Sequence, residues 1–193
     1  MRMRTSKLNG NRQRGFTLVE VLISMVVLTI GLVSLLGIFA MAMAKTQGSQ
    51  QDLIAKQVAQ EAYEALFTAR ETANIAWAQV QNVGTGSIPD GIFVTGLQQV
   101  RQAGVDGIMG TADDSAAPVQ SMTLPGPDGI VGTTDDINLP LTNFQRSIAI
   151  TPVVNGGVIA SDLRTVTVTV QYYTPQSKFP KTYVLSGFIS QYR

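Results

Sequence analysis

The spacing of apolar and polar positions divides the chain into five stretches. Residues 1–15 are short, polar and basic. Phe16 to Ala44 is apolar apart from Glu20, and Val21–Ala44 runs for 24 residues without a charge. A helix needs about 20 apolar residues to cross a bilayer, so residues 16–44 are long enough to span one. No proline interrupts them, although Gly31, Ser34 and Gly37 weaken the middle, since glycine costs roughly 1 kcal/mol relative to alanine in a helix. Residues 45–83 are amphipathic, with no break stronger than Gly48. Ile54, Val58, Ala62, Leu66 and Ala69 recur at helical spacing, Leu53, Tyr63 and Phe67 widen the stripe, and Lys56, Glu61, Glu64, Arg70 and Glu71 take other positions. The pattern predicts one helix from about Phe16 to about Asn82, roughly 100 Å long, closed by "NVGTGSIPDG". Its first half suits lipid or other helices, and its second half suits a domain packed on one face.

Residues 143–193 read as β structure. In "RTVTVTVQYY", Val166, Val168, Val170 and Tyr172 alternate with Thr165, Thr167 and Thr169, which puts apolar and polar residues on opposite faces of a strand. "FQRSIAITPVV" and "KTYVLSGFIS" are further strands, joined by "NGGVIASD" and "TPQSKFP", which have turn chemistry. The expected class is therefore α+β: a long N-terminal helix packed on an antiparallel sheet of three or four strands. Residues 84–142 between them are irregular and hold an internal repeat. "DGIMGTADD" (Asp106–Asp114) and "DGIVGTTDD" (Asp128–Asp136) are identical at seven of nine positions.

Composition narrows the function. There is no histidine and no cysteine among 193 residues, so the commonest general base, thiolate metal sites and disulfides are all missing. A search for a nucleophile–base pair, a phosphate loop or a paired-carboxylate cleft finds none, which disfavours an enzyme. Net charge is +1, but Arg2, Arg4, Lys7, Arg12 and Arg14 all precede Phe16. Without them nine basic residues face thirteen acidic ones, a balance of −4 that argues against a nucleic-acid partner. The leading positive charges predict a cytoplasmic N-terminus. Ala40-Met41-Ala42 and Ala42-Met43-Ala44 look like signal-peptidase sites, but a secretory signal has an apolar core of about 7–15 residues and this run is much longer.

Glu20 is the anomaly. An ionisable group inside a membrane segment is costly and implies a partner. The combination of a basic leader ending in Gly15, then "FTLVEVLISMVVLTIGLVSLLGI", resembles the class III signal of type IV prepilins and pseudopilins, closest in its "VLTIGLVSLLGI" continuation to the PilV group of minor pilins. The resemblance is close from Arg14 to about Ala44 and general beyond. It implies cleavage between Gly15 and Phe16 by a membrane prepilin peptidase and methylation of the new Phe16 amine. It further implies that Glu20 meets an N-terminal amine during assembly with other major and minor pilins on an inner-membrane platform. Before assembly the chain would sit in the inner membrane, and afterwards in a surface pilus. The nearest rival is a minor pseudopilin of a type II secretion system. An adhesin or DNA-uptake pilin and a membrane-anchored enzyme are further alternatives.

The repeats admit two readings. Asp106, Asp113 and Asp114, and again Asp128, Asp135 and Asp136, offer oxygen ligands suited to Ca²⁺. They depart from the EF-hand pattern, and calcium loops in some pseudopilins support this reading by analogy only. The other reading is a pair of Asp-Gly turns. Trp77, Tyr63 and Phe67 are expected to pack against the sheet. Tyr172, Tyr173, Phe179 and Tyr183 are expected to be core rather than a binding surface.

Overall fold

A computed structural model describes residues 15–84, 91–174 and 177–192. The expected leader up to residue 14, residues 85–90, residues 175–176 and residue 193 lie outside the described residues. The chain divides into two units, Met1–Met43 and Ala44–Arg193. One helix, α1 (Leu18–Glu71), passes through the boundary without a break at Gly31, Gly37 or Gly48.

In the first unit the apolar side chains of α1 are exposed, among them Leu22, Val33 and Phe39. An 18-residue window averages a mean hydropathy of 2.7 with none of it buried, and among the described residues no other helix is long and apolar enough to cross a membrane. Its hydroxyls turn back on the helix. Ser24 donates to the Glu20 carbonyl (2.7 Å), Thr29 to Met25 (2.7 Å) and Ser34 to Ile30 (2.8 Å). Each of these hydroxyls is thereby satisfied without water, as lipid requires.

In the second unit the predicted stripe is the packing face. Ile54, Val58, Ala62, Leu66 and Ala69 are all buried, as are Ala55 and Ala59. Each fully buried Val, Leu or Ile contributes about 1.5–3 kcal/mol. Leu53, expected to widen the stripe, is exposed. The facing sheet has the order β1-β4-β5-β6 and is antiparallel throughout, with β1 Gln98–Gln99, β4 Phe144–Asn155, β5 Val158–Tyr172 and β6 Lys181–Ser190. Val166, Val168, Val170 and Tyr172 point inward from β5, as their alternation predicts. The α+β class, with one long helix on a four-stranded antiparallel sheet, is the type IV pilin-like arrangement.

Three details differ from the expectation. The helix ends at Glu71, not near Asn82. Ala73 takes a left-handed φ of 63°, and the Ile75 N–H then reaches back to the Ala69 carbonyl (3.3 Å). This turn swings Ile75 and Val80 into the core, which a straight helix could not do. Second, only Gly156-Gly157 of "NGGVIASD" is the turn. Both glycines have positive φ (57° and 84°), as a tight two-residue hairpin requires, and β5 starts at once with Val158. Third, the irregular region contains a separate hairpin, β2 (Ser121–Leu124) paired with β3 (Ile137–Pro140).

Aromatic residues divide by face. Tyr63 and Phe67 meet with ring centroids 4.6 Å apart and planes tilted by 33°, and both are partly buried on the core. Trp77 donates to the Ser161 carbonyl (2.8 Å) beneath the Arg164 guanidinium, 4.2 Å from the ring centroid. Tyr172 is buried and Tyr183 partly so, whereas Tyr173 and Phe179 are exposed and not core. The Tyr172 hydroxyl donates to Asp52 (2.7 Å), which also pairs with Lys181 (3.0 Å), joining α1 to β5 and β6. Tyr172 and Lys181 together hold the Asp52 carboxyl below its usual range, while burial and Asp52 push Tyr172 far above its own.

Candidate functional site

The N-terminal candidate is built from five consecutive positions and Gly15. Gly15, Phe16 and Thr17 precede the helix without regular structure, and α1 starts at Leu18. The Thr17 hydroxyl accepts the backbone N–H of Glu20 (3.3 Å), which makes Thr17 the N-cap and Glu20 the third helical residue. Thr-x-x-Glu is the capping-box spacing. Glu20 thus sits where unpaired N–H groups and the helix dipole favour a carboxylate. Phe16 is 82% exposed and borders a shallow apolar hollow with Val21, Met25 and Leu28. The hydrophobic residue before the cap and Val21 are the positions that meet across a helix start.

Within this unit, then, an exposed Gly15-Phe16 junction and a carboxylate stand at the start of a long unburied apolar helix. Residues 10–36 match the family model of the prokaryotic N-terminal methylation motif. The methylation motif spans Gly15, Phe16 and Glu20 and indicates a prepilin-type processed protein, of the pilin or pseudopilin kind. It covers the N-terminal segment alone. No curated protein and no solved structure matches the chain.

The paired aspartate loops repeat in structure as well as in sequence. Asp106 and Asp128 each accept the N–H two residues on, from Ile108 and Ile130 (both 2.8 Å). Asp113 and Asp135 each accept a threonine hydroxyl, from Thr111 (2.6 Å) and Thr133 (2.5 Å), and the N–H of Asp106 or Asp128. Asp114 and Asp136 each accept the N–H of the glycine four residues before, Gly110 or Gly132 (both 2.6 Å). The threonine hydroxyls pull the Asp113 and Asp135 carboxyls below their usual range. The match extends upstream, because a Cβ on Gly104 or Gly126 would meet the Asp113 or Asp135 carboxylate at 2.3 or 2.4 Å.

Their surroundings differ. The first loop is tied to the core: Ile108, Thr111 and Asp114 are buried, and Asp114 also accepts the Gly104 N–H (2.8 Å). Burial raises the Asp114 carboxyl despite these bonds. The second loop lies at the tip of the β2–β3 hairpin, with Ile130 and Val131 exposed. Asp136 Oδ1, the counterpart of the atom that Gly104 reaches, is shielded and has no hydrogen-bond partner. Among the described residues no three acidic side chains gather where they would hold a metal ion. The carboxylates are turned onto the loops' own N–H groups, the bonding of closed Asp-Gly turns. Asp114→Ala should therefore destabilise the protein by about 2 kcal/mol, since it removes two charge-assisted bonds at a buried site. Asp136→Ala should cost about 0.5 kcal/mol. Thermal melting should show that order and no change with chelator if the loops are turns; a chelator-induced drop would establish the calcium reading.

Arg146, Arg164 and Asn82 have structural parts that their residue types did not announce. Arg164 donates to the Trp77 carbonyl (2.7 Å) and to that of Val80, holding the chain after the helix against β5. Arg146 occupies an inward position of β4, between Phe144 and Ile148. That parity was the available signal: in "FQRSIAI" an arginine falls in the apolar register.

Proposed function

We propose that the chain is a minor type IV pilin, a structural subunit and not an enzyme. Support comes from one observation: the methylation motif runs directly into an apolar helix whose membrane-length window none of the described residues bury. On this reading prepilin peptidase cuts between Gly15 and Phe16 and the Phe16 amine is methylated. The apolar half of α1 then leaves the lipid and packs among the helices of other pilins on the inner-membrane assembly platform. The head formed by the second unit faces outward, where a minor subunit primes assembly or modifies adhesion and motility.

Glu20 has two parts in this scheme. It completes the helix start in the membrane, where the backbone N–H groups offset part of its desolvation. After the cut, a cationic amine at Phe16 of a neighbouring subunit supplies the opposite charge, worth far more in a water-poor fibre than in solution. Glu20→Ala should still be cleaved, because the site lies upstream of it, but should fall to background in sheared pili. Quantitative immunoblotting of pilus and membrane fractions reads both. A wild-type chain absent from sheared pili and recovered with a secretion apparatus would overturn the pilus assignment in favour of a type II pseudopilin.

A further inference from the structure

Arg146 is the one cation in the inward row of β4, and it is only 5% exposed. Its Nη1 donates to the Met109 sulfur (3.6 Å), a weak acceptor, and among the described residues no carboxylate forms an ion pair with it. Burial pulls its pKa down, with Glu61 and Asp114 acting against this from a distance. A desolvated guanidinium normally has a bidentate partner. Here the fork instead borders an open cavity of about 440 Å³, which Arg101, Gln98, Ser115, Val94 and Ile148 also line. That volume lies in the range of small-molecule clefts, about 300–1,000 Å³.

We propose that this cavity binds a small molecule bearing one carboxylate on a hydroxyl-rich frame, the chemistry of a uronic-type sugar acid. Arg146 takes the carboxylate in a forked pair, the geometry for which guanidinium is suited. Gln98, Ser115 and Arg101 face the hydroxyls, and Val94 and Ile148 cover the C–H face of the ring. The charge of the ligand is limited by the wall. Asp114 offsets one of the two guanidinium groups that line the cavity, Arg101 and Arg146, so the wall matches one net negative charge better than several. Asp114 does not itself saturate Arg146: among the described residues the ion pair within 4.0 Å is Lys181–Asp52, and Asp114 acts on Arg146 only through space while its oxygens accept the Gly104 and Gly110 N–H groups.

The test is calorimetric titration of the full chain in detergent with D-glucuronate, D-glucose, inorganic phosphate and N-acetylglycine. Glucuronate should saturate, with the other three about tenfold weaker or more, since each lacks either the carboxylate or the frame. Arg146→Gln should abolish the glucuronate signal. As a substitution at a buried site can unfold the head, Ser115→Trp, which fills the cavity from its rim, should abolish it too while melting like the wild type. No saturation by glucuronate overturns the proposal, as does undiminished binding in either folded variant. Equal binding of phosphate overturns the single-carboxylate assignment, and equal binding of N-acetylglycine overturns the sugar frame.

Discussion

Full-length chain made together with prepilin peptidase should begin at Phe16 and carry one methyl group on that residue's amine; Gly15→Val should stay uncut. The substitution is a clean probe because of its surroundings. Gly15 is exposed, and a Cβ built on it meets nothing within 4 Å. Its backbone lies ahead of the helix, so the added side chain disturbs no capping bond. Any loss of cleavage then arises in the protease subsite, where a β-branched side chain is excluded, and not from damage to the substrate's fold. Intact mass and N-terminal analysis read the outcome directly. A wild-type chain left uncut, or one starting after Ala44, would remove the basis for the pilin assignment.

Asn82→Ala should destabilise the second unit by about 3 kcal/mol, lowering its melting temperature by about 6–12 °C. Asn82 is 4% exposed and acts as a substitute strand on the edge of β4. Its Oδ1 accepts the Ile150 N–H (2.7 Å), and its Nδ2 donates to the carbonyls of Ile148 (2.7 Å) and Phe93 (3.2 Å). Alanine leaves the Ile150 N–H and the Ile148 carbonyl without that partner, at about 1–3 kcal/mol for each one unpaired, while the Phe93 carbonyl keeps the Val83 N–H (2.9 Å). Asn138→Ala, on the exposed β2–β3 hairpin, is the matched control and should cost no more than about 0.5 kcal/mol. A loss below about 1 kcal/mol for Asn82→Ala would mean that water replaces the amide.

What the sequence revealed follows from the range of the forces involved. Local periodicity was sufficient for the apolar run, for the buried face from Ile54 to Ala69 and for β6, whose predicted and observed bounds coincide at Lys181–Ser190. Thr17 and Glu20 form a local signature as well, because cap and carboxylate are three residues apart. The end of α1 was not legible. Ala73 has no intrinsic preference for the left-handed region, and it turns there because Ile75 and Val80 gain burial against distant strands. The same holds for Asn82, whose partners Ile148 and Ile150 lie more than 60 residues away. The aspartate repeat was visible as sequence, but its direction was not. Six carboxylates within 31 residues suggest a cation, and only the geometry shows their oxygens turned onto backbone N–H groups.

The duplicated loop also offers a practical handle on a living cell. The outer copy rests on a hairpin whose base is closed by four strand pairs, Ser121↔Pro140 to Leu124↔Ile137, and by the Leu141 N–H to the Gln120 carbonyl (2.8 Å). Its Ile130 and Val131 support nothing in the core. Extra chain inserted between them adds mainly loop-closure entropy, about 0.6 kcal/mol for each doubling of length. A short epitope or dye-acceptor peptide placed there would report where the subunit travels without altering its anchor. The same insertion between Ile108 and Met109 of the inner copy would split the core, so the two halves of one duplication differ sharply as sites for labelling.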